Sequence, residues 1–258
     1  MSPKARAPFV ALPHLLRRRF PEIADPVMTI AGGLVLVDGA TMANPAARVR
    51  ADAAVRVLRP KTLRGTIKLR GALEVFDVDV RGAVALDLGA AAGGFTQALL
   101  DAGAARVYAV DAGSGQLRGW LRNDPRVVAR EHTNLGVLGP RHVPEMADVV
   151  TMDLSYLALA DALPELDQRL LAPRAHLVAL VKPTYELHAG GLAAKPHHVE
   201  AAVASAAKAM HQEGWRVQGR VSSSVTGSQG AVEVFLHAIA TREPQASPEL
   251  ERSNARIR

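Results

Sequence analysis

The stretch Val84-Ala85-Leu86-Asp87-Leu88-Gly89-Ala90-Ala91-Ala92-Gly93-Gly94-Phe95-Thr96 constrains this chain more than any other. Its apolar run has the length of an interior parallel strand. The residues from Gly89 to Gly94 carry almost no side chain, so a ligand can lie directly on the backbone. Phe95, Ala98, Leu99 and Ala102 then recur at helical spacing, and Gly103 stops the helix. Strand, small-residue turn and helix in that order open a nucleotide-type pocket.

A pyrophosphate fingerprint of the form G-x-G-x-x-G needs its middle glycine so that the backbone can touch the phosphates, and Ala91 stands at that place. A second strand, Arg106 to Val110, ends in Asp111, whose carboxylate can take both hydroxyls of a ribose. Asp87 is expected at the pocket mouth, where it repels a pyrophosphate but suits the ammonium of a methionine moiety. Together these favour S-adenosylmethionine over a nicotinamide dinucleotide. The plainer alternative is a doubly wound domain that merely has a tight first turn.

From Ile67 onward helical and strand patterns alternate. A helix over 67–76 precedes the first strand. Further strands are expected near 106–110, 126–130, 147–152, 175–181, 215–221 and 231–239, with helices near 94–102, 115–122, 158–171 and 198–213. This is the α/β class, a mostly parallel seven-stranded sheet covered on both faces. Its last two strands have no helix between them and close one edge antiparallel. Ligands bind beyond the carboxyl ends of such strands. Residues 241–258 read as a loose tail.

Ahead of that sheet, residues 8–59 read as a small α+β module. A helix over 9–20 turns Leu12, Leu15 and Leu16 inward and tolerates Pro13 in its first turn. A second helix over 22–30 ends at Gly32-Gly33. Leu34 to Val37 meets the hairpin turn Asp38-Gly39, and a further strand covers 53–58. Residues 1–7 read as disordered, and 60–63 as a short linker stiffened by Pro60.

Charge divides along the same line. The first 70 residues hold 13 Lys and Arg against 4 Asp and Glu, whereas the remainder holds 18 against 21. A polyanion engaged by the N-terminal region is the expected partner. The absence of cysteine excludes disulfides, thiolate catalysis and cysteine-ligated zinc. His197-His198 lacks the spacing of a helical metal site and reads as a helix start after Pro196, so no metal is expected. With no run of 18 apolar residues and no secretory h-region, neither a membrane span nor export is expected, and the cytoplasm is the expected compartment.

Four charged residues fall where a parallel sheet would focus them on one edge. Asp153 follows the strand 147–152 and Lys182 follows the apolar strand that ends at Val181. Glu233 is expected within the last strand between Val232 and Val234, and Lys68 on the helix leading into the sheet. In that order they resemble the Lys-Asp-Lys-Glu tetrad of FtsJ-like ribose 2′-O-methyltransferases. The chain is also similar to the hemolysin A (TlyA) family of rRNA methyltransferases over about residues 64–240. The segments that carry this are Arg64 to Leu69, Leu86 to Ala90 with Gly93 to Thr96, Tyr108 to Asp111, Leu121 to Val128, Met152 to Tyr156, Val181 to Pro183, and Gly230 to Leu236. The N-terminal module resembles that family's small RNA-binding domain of the ribosomal protein S-four type. It departs from it at Ala24-Asp25-Pro26, where the family usually has a serine-arginine pair.

The resemblance implies a Rossmann-like methyltransferase domain that uses S-adenosylmethionine, with rRNA or a ribosomal subunit as partner. Lys182 would remove the proton of the target hydroxyl, Asp153 would orient it and face the sulfonium, and Glu233 and Lys68 would hold the hydroxyl and its neighbouring phosphate. An ammonium cannot accept a proton, so burial of Lys182 and the nearby Lys68 are what would favour the neutral amine. Similarity places Gly89, Ala91, Gly93, Gly94 and Phe95 around the methionine end and Asp111 on the ribose. Asn134 falls nearest the adenine. Arg17, Arg18, Arg19, Arg48, Arg50 and Arg56 are the expected phosphate contacts, and Tyr156 and Tyr185 the aromatics nearest a splayed base. Two other readings stay open: a family member that methylates a small molecule or peptide and keeps a vestigial RNA-binding module, and a non-catalytic RNA-binding or toxin-like protein.

Overall fold

A computed structural model of the chain describes residues 7–23, 25–58, 62–187, 195–227 and 230–241. Residues 60 and 61 of the expected linker, 242–258 of the expected tail and the first six residues lie outside them.

In the N-terminal module, β1 (Phe9–Ala11) runs into α1 (Leu12–Arg19), followed by α2 (Pro26–Ala31), β2 (Val35–Val37), β3 (Ala40–Met42), β4 (Arg48–Arg50) and β5 (Val55–Val57). The helix expected over 9–20 therefore starts at Leu12. Residues 9–11 pair instead with β4, a strand that the pattern does not announce. Three residues are too few to show a period, and the partner decides their conformation. Asp25 accepts a hydrogen bond from the Met28 amide at 3.0 Å, so the second helix begins there rather than at Glu22. Asp38 and Gly39, with φ of 50° and 85°, form the two-residue turn between β2 and β3. Leu12, Leu15, Leu16, Ile30, Val35 and Val49 bury one another in a core of the module's own.

The larger part contains α3 (Arg64–Phe76), β6 (Val84–Leu88), α4 (Gly94–Asp101), β7 (Arg106–Val110), α5 (Gly119–Arg122), β8 (Val127–Arg130), β9 (Ala147–Met152) and α6 (Leu159–Ala162). It continues with β10 (Leu171–Val181), α7 (Pro183–Glu186), α8 (Pro196–Gln212), β11 (Trp215–Ser222) and β12 (Val234–Ala240). The seven strands lie in the order β11-β12-β10-β9-β6-β7-β8. All neighbours are parallel except that β12 runs antiparallel to both β10 and β11. The expected helix over 158–171 is only α6 and two short 3-10 turns, since Pro164 and the Asp167 cap break it. Glu233 precedes β12 instead of lying inside it.

Alternation along the strands sends side chains to two cores. Leu86 and Leu88 join α8, whereas Ala85 faces Leu69 and Leu73 of α3 and Phe95 and Leu99 of α4. Trp215 is wholly buried and Trp120 half-buried. The module touches the larger part where Asn123 donates to the Ala31 carbonyl and where Gly32 lies against Trp120. No helix among the described residues is long and apolar enough to cross a membrane.

Candidate active site

At the carboxyl end of β6 the chain turns back through Gly89 to Gly93. The amides of Gly89 and Ala90 donate to the Val110 carbonyl at 2.9 and 3.0 Å, which pins the turn to the end of β7. Gly89 has φ of 84°, and a Cβ there would stand 2.7 Å from the Asp153 carbonyl oxygen, so the turn can pass β9 only without a side chain. Asp111 lies against it: its Oδ2 accepts from the Ala91 amide at 2.8 Å and its Oδ1 from the Gly113 amide at 2.7 Å. Tyr156 is close by. Burial first, then the charges of Asp111 and Glu165, raise its phenol above the ordinary range. Asn134, exposed, follows Thr133, whose amide donates to the Asp111 carbonyl.

The opening of α4 is fixed by contact with α3. A Cβ on Gly94 would lie 2.8 Å from the Gly65 Cα, so the two helix starts cross with only backbone between them. Thr66 Oγ1 donates to the Gly94 carbonyl at 2.9 Å. That crossing carries Lys68, half a turn further along α3, toward the same edge of the sheet.

There the four charged residues meet. Lys68, Asp153, Lys182 and Glu233 line one cavity of about 230 Å³, together with Ser155 and Tyr185. Lys68 and Glu233 form a buried ion pair. Lys182 Nζ is 2.5 Å from Asp153 Oδ1, a charge contact whose angles are not those of a hydrogen bond, and it donates to Ser155 Oγ at 2.7 Å. It also stands 5.8 Å from the centre of the Tyr185 ring. Two cation–anion pairs thus line the cavity. The charge of Lys68 is met by Glu233 rather than turned on Lys182, which differs from the sequence expectation. Ser155 is the residue that sequence reasoning left without a role. Its place two positions after Asp153 was the only available signal.

Asp87 is not at the pocket mouth. It is fully buried, accepting from Thr96 Oγ1 at 2.6 Å and from Thr151 Oγ1 at 2.9 Å. Burial pushes its pKa up to about 6 against the lowering effect of those two hydroxyls, with the Asp153 charge adding to the rise. Its position explains this: β6 is central, and position 87 points to the side covered by α4. The carboxylate ties the start of α4 to β9 and meets no solvent.

Three of the six expected phosphate-binding arginines are engaged inside the module. Arg19 donates to the carbonyls of Ala51 and Ala53, both at 2.6 Å, and Arg48 to the Phe9 carbonyl at 2.8 Å. Arg50 clasps Asp52 through two hydrogen bonds. Arg17, Arg18 and Arg56 are exposed.

A central, mostly parallel seven-stranded sheet with a glycine turn after its first strand and an acid after the second is the architecture of a Rossmann-like methyltransferase. Residues 62–239 match the model of the FtsJ-like methyltransferase family. The chain is 41% identical over 216 residues, 80% of each protein, to the 16S/23S rRNA (cytidine-2′-O)-methyltransferase TlyA of Mycobacterium tuberculosis. It is 29% identical over 218 residues, 81% of this chain and 90% of the relative, to Hemolysin A of Brachyspira hyodysenteriae. A solved structure from Streptococcus thermophilus, named as a hemolysin, superposes with a TM-score of 0.65 at 26% identity, covering 97% of this chain and 99% of that one. The chain belongs to the FtsJ-like methyltransferase family, in its hemolysin A (TlyA) branch.

Proposed function

We propose that this protein methylates a ribose 2′-hydroxyl of ribosomal RNA, with S-adenosylmethionine as donor, in the cytoplasm. The observation that carries the proposal is the convergence of Lys68, Asp153, Lys182 and Glu233 on one cavity beside the glycine turn. The similarity to the TlyA methyltransferase supports the choice of substrate.

The turn suits the donor. Small residues from Gly89 to Gly94 leave the backbone bare, Asp111 offers a carboxylate for a ribose diol, and Asp153 offers a negative charge. Gly89, Ala91, Gly93, Gly94 and Phe95 would hold the methionine end, and Asn134 the adenine. When bound, S-adenosylmethionine supplies an electrophilic methyl group. A ribose hydroxyl is a weak nucleophile at neutral pH, and Lys182 in its neutral form takes the hydroxyl proton at Nζ. Asp153 and Ser155 aim that nitrogen. The Lys68–Glu233 pair fixes the hydroxyl and its neighbouring phosphate. Positioning of this kind is worth roughly 7–11 kcal/mol of barrier.

The same reading divides the chain into an RNA-binding-like module over 8–59, a linker over 60–63, a catalytic domain over 64–240 and a tail over 241–258. The module's separate apolar core supports the first boundary. A second reading, a small-molecule or peptide methyltransferase with a vestigial module, is favoured by the engagement of Arg19, Arg48 and Arg50 within the module.

Purified protein incubated with labelled S-adenosylmethionine and either ribosomal subunits or a metabolite extract tests both readings. Label at a ribose of rRNA is expected. Label confined to small molecules selects the second reading. Lys182→Ala is expected to abolish transfer while calorimetry still detects cofactor binding, and Asp111→Ala to weaken that binding. Full activity of the lysine variant would remove Lys182 as the base.

A further inference from the structure

Three aromatic side chains among the described residues are exposed: Tyr156, Tyr185 and Phe9, at 56%, 39% and 60%. The two tyrosines border the catalytic cleft. Phe9 stands far from it in sequence, on β1 of the N-terminal module. There β1 and β4 form a two-stranded antiparallel ribbon with Phe9 opposite Arg50 and Ala11 opposite Arg48. Val10 and Val49 turn to the module's core, so Phe9, Ala11, Arg48 and Arg50 share the outer face, and all four are exposed.

The ribbon carries two arginines on this face. Arg48 reaches across to the Phe9 carbonyl, Arg50 is held flat by its double contact with Asp52, and Arg19 clamps the loop that follows β4 through two carbonyls. Arg48 keeps most of its donors free, and the Arg50–Asp52 pair is exposed on both sides, so a phosphate can compete for that guanidinium. His14, Arg17 and Arg18 are exposed on one side of α1, the helix that follows β1 directly.

We propose that the outer face of the β1–β4 ribbon binds single-stranded RNA, with a nucleobase stacked on Phe9 and the flanking phosphates on Arg48 and Arg50. A phenyl ring offers the flat apolar surface that an unpaired base seeks, and the guanidinium groups beside it match the phosphates on either side of that base. An apolar protein partner would gain from the ring but not from the charge around it. A duplex would gain from the charge but not from the ring. The inference rests on the rRNA reading above and adds the element of RNA structure that the module recognises: a loop, bulge or end.

The test uses the full chain, a fluorescent single-stranded RNA and an RNA duplex of the same sequence. Phe9→Ala is expected to weaken single-strand binding roughly 5- to 100-fold, with little change for the duplex and an unchanged salt dependence. Phe9→Trp is expected to restore or improve it. Thermal melting checks the fold, which a side chain this exposed does not support. Unchanged single-strand affinity in Phe9→Ala, or an equal loss on the duplex, overturns the proposal. So does a variant that loses affinity for ribosomal subunits but binds protein-free RNA as well as the parent, because its ring would then meet a ribosomal protein. The two readings fail separately. If the parent labels no rRNA yet binds single strands through Phe9, only the substrate assignment falls; if it labels rRNA and Phe9→Ala binds normally, only the platform falls.

Discussion

Lys182 Nζ donates to the Ser155 hydroxyl at 2.7 Å while standing 2.5 Å from Asp153 Oδ1. The charge contact holds the lysine in the cavity, and the hydroxyl adds a directional hydrogen bond. Ser155→Ala should therefore lower kcat with little change in KM for the donor. Loss of one hydrogen bond to a charged group corresponds to about a tenfold effect. Methyl-transfer rates measured over a pH series check this, and Ser155→Thr, which keeps the hydroxyl, should recover most of the rate. Equal kcat in the alanine variant and the parent would show that Asp153 alone aims the amine.

Asp87 predicts a pH dependence of stability. In the folded chain it ionises near about 6, against an ordinary value of 3.8, so between those values the folded state holds a proton that the unfolded state has lost. Its contribution is full below the lower value and is lost as pH rises through 6, costing roughly 2–3 kcal/mol at neutral pH. Asp87→Asn keeps the shape and removes the charge. Melting curves should show the variant gaining on the parent between pH 3 and pH 7, in differences of about that size. A constant difference across this range would mean that Asp87 does not titrate there.

Ala91 sits at φ of 44° in the turn, a left-handed conformation that costs a residue with a Cβ about 1–2 kcal/mol. Ala91→Gly should raise the melting temperature by about 2–4 °C. Gly93→Ala should do the reverse and more strongly, because at φ of 94° its new Cβ would lie 2.2 Å from Leu121 Cδ1. Differential scanning calorimetry of the two variants gives both signs.

The arginines of the module should separate into two groups. Arg19→Ala removes the clamp on Ala51 and Ala53 and should destabilise the module by about 2 kcal/mol. Replacing Arg17, Arg18 and Arg56 together should leave melting unchanged, lower RNA affinity for all sequences alike and flatten its salt dependence. Binding measured at several salt concentrations, beside thermal melts, distinguishes the groups. Identical behaviour would contradict the contacts described for Arg19.

Much of the fold is legible in the chain because its signals are local. The strands at 84–88, 106–110 and 147–152 are short apolar runs closed by small or acidic residues, and the Asp38-Gly39 turn follows from backbone sterics alone. Where the signal is weak the reading drifts. The three-residue strands at 9–11 and 48–50 exist because each is the other's partner, and the region after Leu159 breaks into single turns that a helical period cannot foresee.

Read alone, the chain places two amines and two acids on or beside elements that feed one sheet edge, next to a turn without side chains. Only the tertiary structure decided how they combine. Lys68 meets Glu233, 165 positions away, and Lys182 meets Asp153; Asp87 sinks beneath the turn between two threonines, and Arg19 spends its guanidinium on its own module. The physical reason is that ionic pairing and burial depend on distances between segments remote in the chain. The Gly65–Gly94 helix crossing and the parallel β6–β9 register set those distances, whereas local pattern fixes only where each side chain leaves the backbone.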